Sequence, residues 1–370
     1  LRYSYSSLGT LAQCERRFSL RYREGLRPAG PKPWALLRGS AWHAVMQAQS
    51  LNVGQYWGSL LQEMPEQIEV IDGVWAEPTI DSIIDALKEW EIAQESEYLD
   101  AMREEYGDLL SARMWDLWIR FNHSGNVDKD FGRPLLVELD WTRTLPNGLE
   151  ATGRADLVYL DPETDQVVVR DWKLNQSWPQ TPSAIEDLIN SQNHFNAWGV
   201  ADVLRNLSGD KELVPSAVEY ARARFKKPAT PAMTKGTKNA PPRLAKSTTD
   251  FDAYTYREWC REQELVMDQT VYDELAGQRD KWFRFTRKPL LYSVYSQHVI
   301  SASKQAARAE TITTEDSIPV YGSHCAFCEY ATLCRTDLVG GRVPYDEIVF
   351  ADYGLRRSSR REIPKEGSAN

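Results

Sequence analysis

The chain has 370 residues, 42% of them hydrophobic and 26% charged, and a formal net charge of −9. That apolar content suffices for one large core or two domains, while the acidic balance excludes a protein that coats nucleic acid through its overall charge; any phosphate contact must come from local basic patches. No run of about 18 apolar residues is present, so no transmembrane helix is expected, and five cysteines, an odd number, behind an opening without an apolar leader argue for a reducing, cytoplasmic setting rather than a disulfide framework.

Residues 1–134 read as an N-terminal helical region. Leu8, Leu11, Phe18 and Tyr22 recur at roughly helical spacing, with Ser6 or Ser7 to cap the helix and Gly25 to end it. Cys14 falls inside this helix, where a single cysteine is by default a small core residue. A second helix is predicted from about Trp34 to Gln49, with Leu36, Gly39, Ser40, His43 and Met46 on one stripe. Read by itself, a lone histidine there is a satisfied core residue. Residues from about 55 to 122 read as helices rich in Glu, Asp, Trp and Tyr. Their aromatics form core stripes, and their acidic faces would repel a phosphate backbone.

Residues 135–225 carry the centre of the chain. A sheet begins near Leu135, in which Glu138 reads first as an ordinary strand residue and second as an acidic site residue. Then EATGRADLVYLDPETDQVVVRDWKLNQ places two β-branched runs around Asp161–Asp165, a turn composition, and predicts a β-hairpin. Folded symmetrically about Glu163 and Thr164, it sets Asp156 across from Asp171, their Cβ atoms about 5 Å apart. Lys173 projects from the same face as Asp171. Two facing carboxylates repel and gain nothing structurally unless a cation lies between them. A lysine beside such a pair completes a set of parts for phosphodiester hydrolysis. The bland alternative is a surface hairpin with solvated charges, against which Val167, Val168 and Val169 suit a strand covered on both faces. A capped helix follows, with Thr181 as cap, Pro182 first and Glu186 in the first turns. Its apolar stripe is Ile185, Leu188, Ile189 and Phe195, and Gln192 falls on that stripe, where an amide without partners costs ~1–3 kcal/mol.

Residues 226–250 form a basic stretch with Lys226, Lys227, Lys235, Lys238, Arg243 and Lys246 and no acid before Asp250. It is either a solvated loop or a flexible clamp on phosphate, and the two can hold together. Residues 251–345 return to helix, with Cys260 as a buried thiol, then a strand and helix in LLYSVYSQHVISASKQAAR. Cys325-x2-Cys328-x5-Cys334 has the spacing of a metal clip, for which Cys14 is a better fourth ligand than His324, whose place next to Cys325 gives poor geometry. Four thiolates suit a 4Fe–4S cluster or zinc equally from spacing alone. Residues 346–370 form a tail.

Gly153-x-x-Asp156 followed across a short hairpin by Asp171-x-Lys173 resembles the PD-(D/E)XK nuclease superfamily in its RecB-like branch. The Ser-rich opening with Cys14 and then Phe18 is similar to the start of Cas4-like and RecB-like nucleases, with Glu15 where that family usually has proline. Gly39-x-x-x-His43 resembles the helix carrying an extra metal-binding histidine. Gln192 matches the family's Gln-x-x-x-Tyr signature, with Asn196 in place of the tyrosine. Cys14 plus the C-terminal triplet looks like the iron–sulfur clip of Cas4-like and AddB-like nucleases, and the resemblance favours iron–sulfur over zinc. The motifs stand in family order over nearly the whole chain. The resemblance implies an α/β fold with a restriction-endonuclease-like core, a mixed central sheet, accessory helices and a clip joining the two ends. It implies a DNA exonuclease acting on single strands in repair, recombination or phage replication, with no membrane and with a recombination or replication protein as a partner. Mg²⁺ or Mn²⁺ would be held by His43, Asp156, Asp171 and the Trp172 carbonyl, with Lys173 orienting water or stabilising the transition state and Gln192 in the catalytic set. The other readings are a non-catalytic DNA-binding or scaffold iron–sulfur protein, and a zinc-clipped RNA-processing factor.

Overall fold

The computed structural model describes residues 2–28, 33–58, 60–94, 96–125, 130–176, 191–232, 244, 251–313, 316–317, 319–320, 322–338 and 353–355. The elements begin with β1 (Arg2–Ser4), α1 (Tyr5–Gln13), α2 (Glu15–Phe18), a π-helical turn (Ser19–Arg23), β2 (Leu26–Pro28) and α3 (Trp34–Trp57). Next come β3 (Ile68–Ile71), β4 (Val74–Ala76), α4 (Ile80–Ile92), α5 (Ser96–Tyr106), α6 (Leu110–Ser124), β5 (Arg133–Thr144), β6 (Glu150–Leu160) and β7 (Val167–Asn175). The remainder is α7 (Ser191–Ser208), β8 (Pro215–Arg224), α8 (Ala253–Glu262), α9 (Gln269–Ala276), β9 (Phe283–Pro289), α10 (Tyr292–Thr311), α11 (Ala331–Leu338) and β10 (Tyr353–Leu355). The chain divides into two compact units, one of residues 1–32, 144–151 and 300–370 and the other of 33–143 and 152–299. Among the described residues no helix is long and apolar enough to cross a membrane.

The larger unit is built on a mixed sheet. Its strands run in the order β6–β7–β8–β9, with β5 also paired to β6. β6 and β7 are antiparallel, β7 and β8 parallel, and β8 and β9 antiparallel. A parallel pair needs a crossover, and α7 lies in that connection and packs on both β7 and β8. Leu37, Trp42 and Val45 of α3, Leu87 of α4 and Met114, Leu117 and Phe121 of α6 form one buried cluster with Val168 and Trp172 of β7. Trp141 of β5 fixes how closely α7 approaches the sheet. A Cβ on Gly153 would lie 2.5 Å from the Trp141 ring, and one on Gly199 would lie 2.1 Å from it. The indole is therefore held between two backbones that only glycine brings this close, and its Nε1–H donates to Asn196 Oδ1 at 3.2 Å.

The smaller unit gathers Cys14 with Cys325, Cys328 and Cys334, while Cys260 lies in the larger unit. β2 pairs antiparallel with β10, and Leu20, Leu26, Tyr330, Leu333 and Tyr353 form its buried cluster. The Tyr330 hydroxyl donates to the Leu26 carbonyl at 2.7 Å.

Several predicted elements differ. The first helix starts at Tyr5, capped by Ser4 in a reciprocal box with Ser7, and it stops at Cys14, whose φ of −161° and ψ of 114° are extended. Cys14 thus sits at a break, buried, rather than inside a helix. Glu15 is the first residue of α2, a position that suits proline or an acid equally well, and it accepts from Arg308 at 3.0 Å. α3 continues to Trp57 and ends at Gly58, with φ +59°. Leu36 is 60% exposed and does not share a face with the buried Met46. The stretch from 55 to 122 is interrupted by the β3–β4 hairpin. The last strand lies upstream of its predicted place: alternating Phe283-Arg284-Phe285-Thr286 forms β9, while LLYSVYSQH enters α10 at Tyr292. Thr181, Pro182, Ile185, Glu186, Leu188 and Ile189 lie outside the described residues, as do Lys235, Lys238, Arg243 and Lys246.

Gly153→Ala is expected to destabilise the protein by about 1–3 kcal/mol, because its Cβ enters the Trp141 ring and the core must shift. Thermal unfolding followed by circular dichroism measures this; an unchanged midpoint would mean that Trp141 is not locked between the two glycines.

Candidate active site

The hairpin sets the site. β6 and β7 pair as Leu157↔Arg170, Val158↔Val169, Tyr159↔Val168 and Leu160↔Val167. The next step of that register puts Asp156 opposite Asp171. The turn enforces it: Asp161 Oδ1 accepts from the Glu163 N–H at 2.9 Å, Oδ2 from the Thr164 hydroxyl at 2.8 Å, and Asp165 takes φ +52°. Asp156 Oδ2 accepts the Trp172 N–H at 2.7 Å. The Trp172 side chain points to the other face, buried beside Phe121 and Phe131 with ring centroids 6.2 and 5.6 Å away. That anchor leaves its neighbours Asp171 and Lys173 projecting together. Lys173 Nζ donates to Asp171 Oδ1 at 2.9 Å and lies 2.8 Å from Oδ2.

His43 reaches this pair from α3. Its Nδ1 is 3.5 Å from Asp156 Oδ2 and 3.4 Å from Glu138 Oε1. His43, Glu138 and Asp156 each offer a ligand atom, all within 4.8 Å of one another. Glu138 is the residue that sequence reasoning had placed second, as an ordinary strand residue first. It takes φ +47°, which costs a non-glycine residue of order 1–3 kcal/mol and needs support from its surroundings. That support is Gln62, whose amide donates to the Val137 carbonyl at 2.7 Å and accepts the Val137 N–H at 3.1 Å, as a neighbouring strand would. The kink lets Leu135, Leu136 and Val137 all be buried in succession and turns Glu138 toward the histidine. The sequence carried one signal for this: three consecutive apolar residues break the period of two just before the acid. Gln62 carried none.

The electrostatics follow from burial and convergence. Burial pushes Asp171 up to about 6, with the Asp156 charge adding to it and Lys173 opposing. Burial likewise lifts Asp156 to about 6, against the pull of His43 and with Glu138 adding to the rise. Burial alone would lower His43, but Asp156, Glu138 and Asp171 hold the proton on it up to about 9. One imidazole and several carboxylate oxygens form a donor set that fits a hard or borderline divalent cation. The other predicted residues are placed as follows. Gln192 lies half-buried in the first turn of α7, Asn196 is buried against Trp141, and Lys226 and Lys227 are exposed just beyond β8.

A second site lies in the smaller unit. Cys14, Cys325, Cys328 and Cys334 line one cavity of about 320 Å³ together with Arg17 and Arg335. Burial pushes the Cys328 thiol up and the Arg17 guanidinium draws it down. Cys260 is buried in a different cluster with Phe251 and Tyr256. The thiols come from the break after α1 (Cys14), the 3-10 turn at Ser323–Phe327 (Cys325), the extended residue that caps it (Cys328) and α11 (Cys334).

The family model for the PD-(D/E)XK nuclease superfamily matches residues 2–335. No curated protein matches. Among solved structures, a candidate exonuclease from Eubacterium rectale is 11% identical, with 89% of this chain and 87% of that chain covered and a TM-score of 0.38. A protein called SSO0001 is 12% identical over 67% of this chain and 91% of that chain, with a TM-score of 0.27.

Divalent-metal affinity is expected to rise with pH in two stages. Asp156 and Asp171, both raised to about 6, hold protons below that value and must release them to bind, so affinity falls steeply as pH drops through 6. His43, raised to about 9, still carries a proton at neutral pH, so between 6 and 9 binding releases about one proton. Titration calorimetry with Mn²⁺ in buffers of different ionisation enthalpy measures that number; zero protons released at pH 7.5 would remove His43 from the ligand set.

Proposed function

This chain belongs to the PD-(D/E)XK nuclease superfamily, and from that premise we propose that it is a metal-dependent DNA nuclease of the RecB-like, Cas4-like branch that digests single strands from an end. The observation that carries the reading is the convergence of His43, Glu138 and Asp156, with Asp171 and Lys173 beside them, on one face of a sheet edge-supported by a buried aromatic core. His43, Glu138, Asp156 and Asp171 would hold Mg²⁺ or Mn²⁺, with the Trp172 carbonyl as a further donor on the same strand. The cation supplies a water of lowered pKa and positive charge against the phosphoryl oxygens. Lys173, donating to Asp171, is proposed to reach the oxygen on which charge develops. Glu138 and Asp156 fix the orientation of His43 through Nδ1, and Gln62 keeps Glu138 in place.

The four cysteines are proposed to hold a 4Fe–4S cluster. In support, all four line one cavity, with Arg335 and the Glu329-paired Arg17 at its border. The cluster would exist only in the folded unit, so its binding energy adds to folding energy, and it suits a reducing, intracellular setting. Lys226 and Lys227, with the rest of the 226–246 basic stretch, are proposed as a phosphate clamp.

Asp171→Ala and Lys173→Ala are expected to lower hydrolysis by about 10²–10³-fold or more, with the fold retained. End-labelled linear and covalently circular single strands, incubated with Mg²⁺, Mn²⁺ or EDTA, test the activity and its polarity together. Cleavage of the circle would replace the exonuclease reading with an endonuclease, and full activity in EDTA or in either variant would remove the site assignment.

Protein purified without oxygen is expected to be brown and to hold about four irons per chain, and Cys14→Ser is expected to lose them and unfold at lower temperature. One zinc per chain with no iron would keep a metal clip and discard the cluster; Cys14→Ser protein with its iron and stability intact would discard Cys14 as a ligand.

A further inference from the structure

We propose that Arg154 of β6 is a catalytic residue that donates hydrogen bonds to a non-bridging oxygen of the scissile phosphate; this rests on the nuclease reading above. Arg154 stands two residues before Asp156 on one strand, and so on the same face. Its guanidinium meets two acids of β5. Nε donates to Asp140 Oδ1 at 2.7 Å and Nη2 to Asp140 Oδ2 at 2.9 Å, the paired geometry of a fork on a carboxylate. Nη1 lies 3.9 Å from Glu138 Oε2. That distance is too long for a hydrogen bond, so among the described residues the two N–H groups of Nη1 have no acceptor.

Asp140 neutralises the guanidinium charge without using the Nη1 donors, and it is directed donors that recognise a phosphoryl oxygen at contact. Asp140 also holds the fork off Glu138. Glu138 Oε1 lies 3.4 Å from His43, and an arginine closed on Oε2 would compete with a cation for the same carboxylate. The Arg154–Asp140 pair does little for the fold, since its side chains are 57% and 71% exposed. The opposite face of the sheet shows what a structural arginine does. There Arg170 and Arg287 form a network around Glu219, at 2.5 and 3.3 Å, and spend their donors inside the molecule. Arg154 is instead fixed in orientation by an acid at the rim, with its other edge beside the metal-capable cluster and open to solvent.

β5 and β7 both pair with β6. Arg154 reaches toward β5 while Lys173 projects from β7, so the acids of the cluster have a donor on either side. In the hydrolysis, a water oxygen bonds to phosphorus as the bond from phosphorus to the leaving sugar oxygen breaks; the water gives up one proton and the leaving oxygen takes one. Arg154 stays protonated throughout. Its part is to hold the non-bridging oxygen on which negative charge accumulates.

The test compares the full-length protein with Arg154→Gln in three measurements: steady-state cleavage of a linear single-stranded oligonucleotide in Mn²⁺, Mn²⁺ affinity by titration calorimetry without nucleic acid, and melting temperature. The variant is expected to cleave about 10²–10³-fold more slowly, with the loss in kcat and little change in KM. It is expected to bind Mn²⁺ as tightly as wild type or more tightly, because a positive charge near the cluster has gone, and to keep its melting temperature. Replacing the contacted non-bridging oxygen at the scissile bond by sulfur, a poorer acceptor, is expected to slow wild type more than the variant, which has already lost the contact. Undiminished cleavage by Arg154→Gln, or equal slowing of both proteins by sulfur at either non-bridging position, overturns the role. A rate loss accompanied by weaker Mn²⁺ binding or a lower melting temperature makes Arg154 a support for Glu138 or for the fold, and overturns it too. Wild-type protein that binds Mn²⁺ but cleaves no oligonucleotide overturns the nuclease reading, and the role of Arg154 with it.

Discussion

Mutual repulsion among buried carboxylates is the constraint on which the rest depends. Glu138, Asp156 and Asp171 are brought together out of bulk water, with His43, Lys173 and Arg154 as the cations among the described residues that lie against them. Burial drives both aspartates toward protonation and the combined negative field holds a proton on the histidine. Such a cluster is held in tension by the framework around it. The aromatic anchor of Trp172, the turn closed by Asp161 and the indole clamped between Gly153 and Gly199 each remove a way in which the strands could slide and let the acids separate. A divalent cation relieves the tension directly, since it replaces the protons with a charge that all the carboxylates can share.

Two layers of the molecule serve this arrangement differently. The helices α3, α4 and α6 provide apolar mass, and only α3 also delivers a functional group, His43. The strands supply almost everything else, and they do so by parity. On β7, even positions 168, 170 and 172 enter the aromatic core or the Glu219 network, while odd positions 171 and 173 face the site. One strand therefore sends the anchoring ring of Trp172 to one face and the Asp171 and Lys173 side chains to the other.

The hairpin was legible in the sequence because two local rules agree there: turn composition sets the fold point, and period-two alternation sets the face. The same two rules pair Asp156, Asp171 and Lys173 from the sequence alone. Glu138 was not legible as a site residue, since its direction comes from a backbone kink that alternation cannot express, and the kink depends on a side-chain amide 75 residues away. Cys14 could be singled out, but not the break at which it sits, because the surrounding apolar spacing is as helical on both sides as within one helix. The misplaced last strand has a different cause. LLYSVY is rich in residues that favour strands, yet it packs as the start of α10, while the short FRFT alternation upstream, half of it arginine and threonine, makes β9. Tertiary packing overrode propensity there.

The kink at Glu138 also bears on how such a site changes over evolutionary time. In a regular strand, an acid can exchange faces only by moving one position, which would carry it from the site into the core. A residue with left-handed backbone releases the acid from that parity, because the turn of the chain, and not the odd or even count, decides where the carboxylate points. Descendants of this sequence could therefore lose or gain a residue near position 138 and still offer an oxygen at the same spot, provided that some side chain kept the role of Gln62. Relatives related in this way would share chemistry while their acids failed to line up in an alignment.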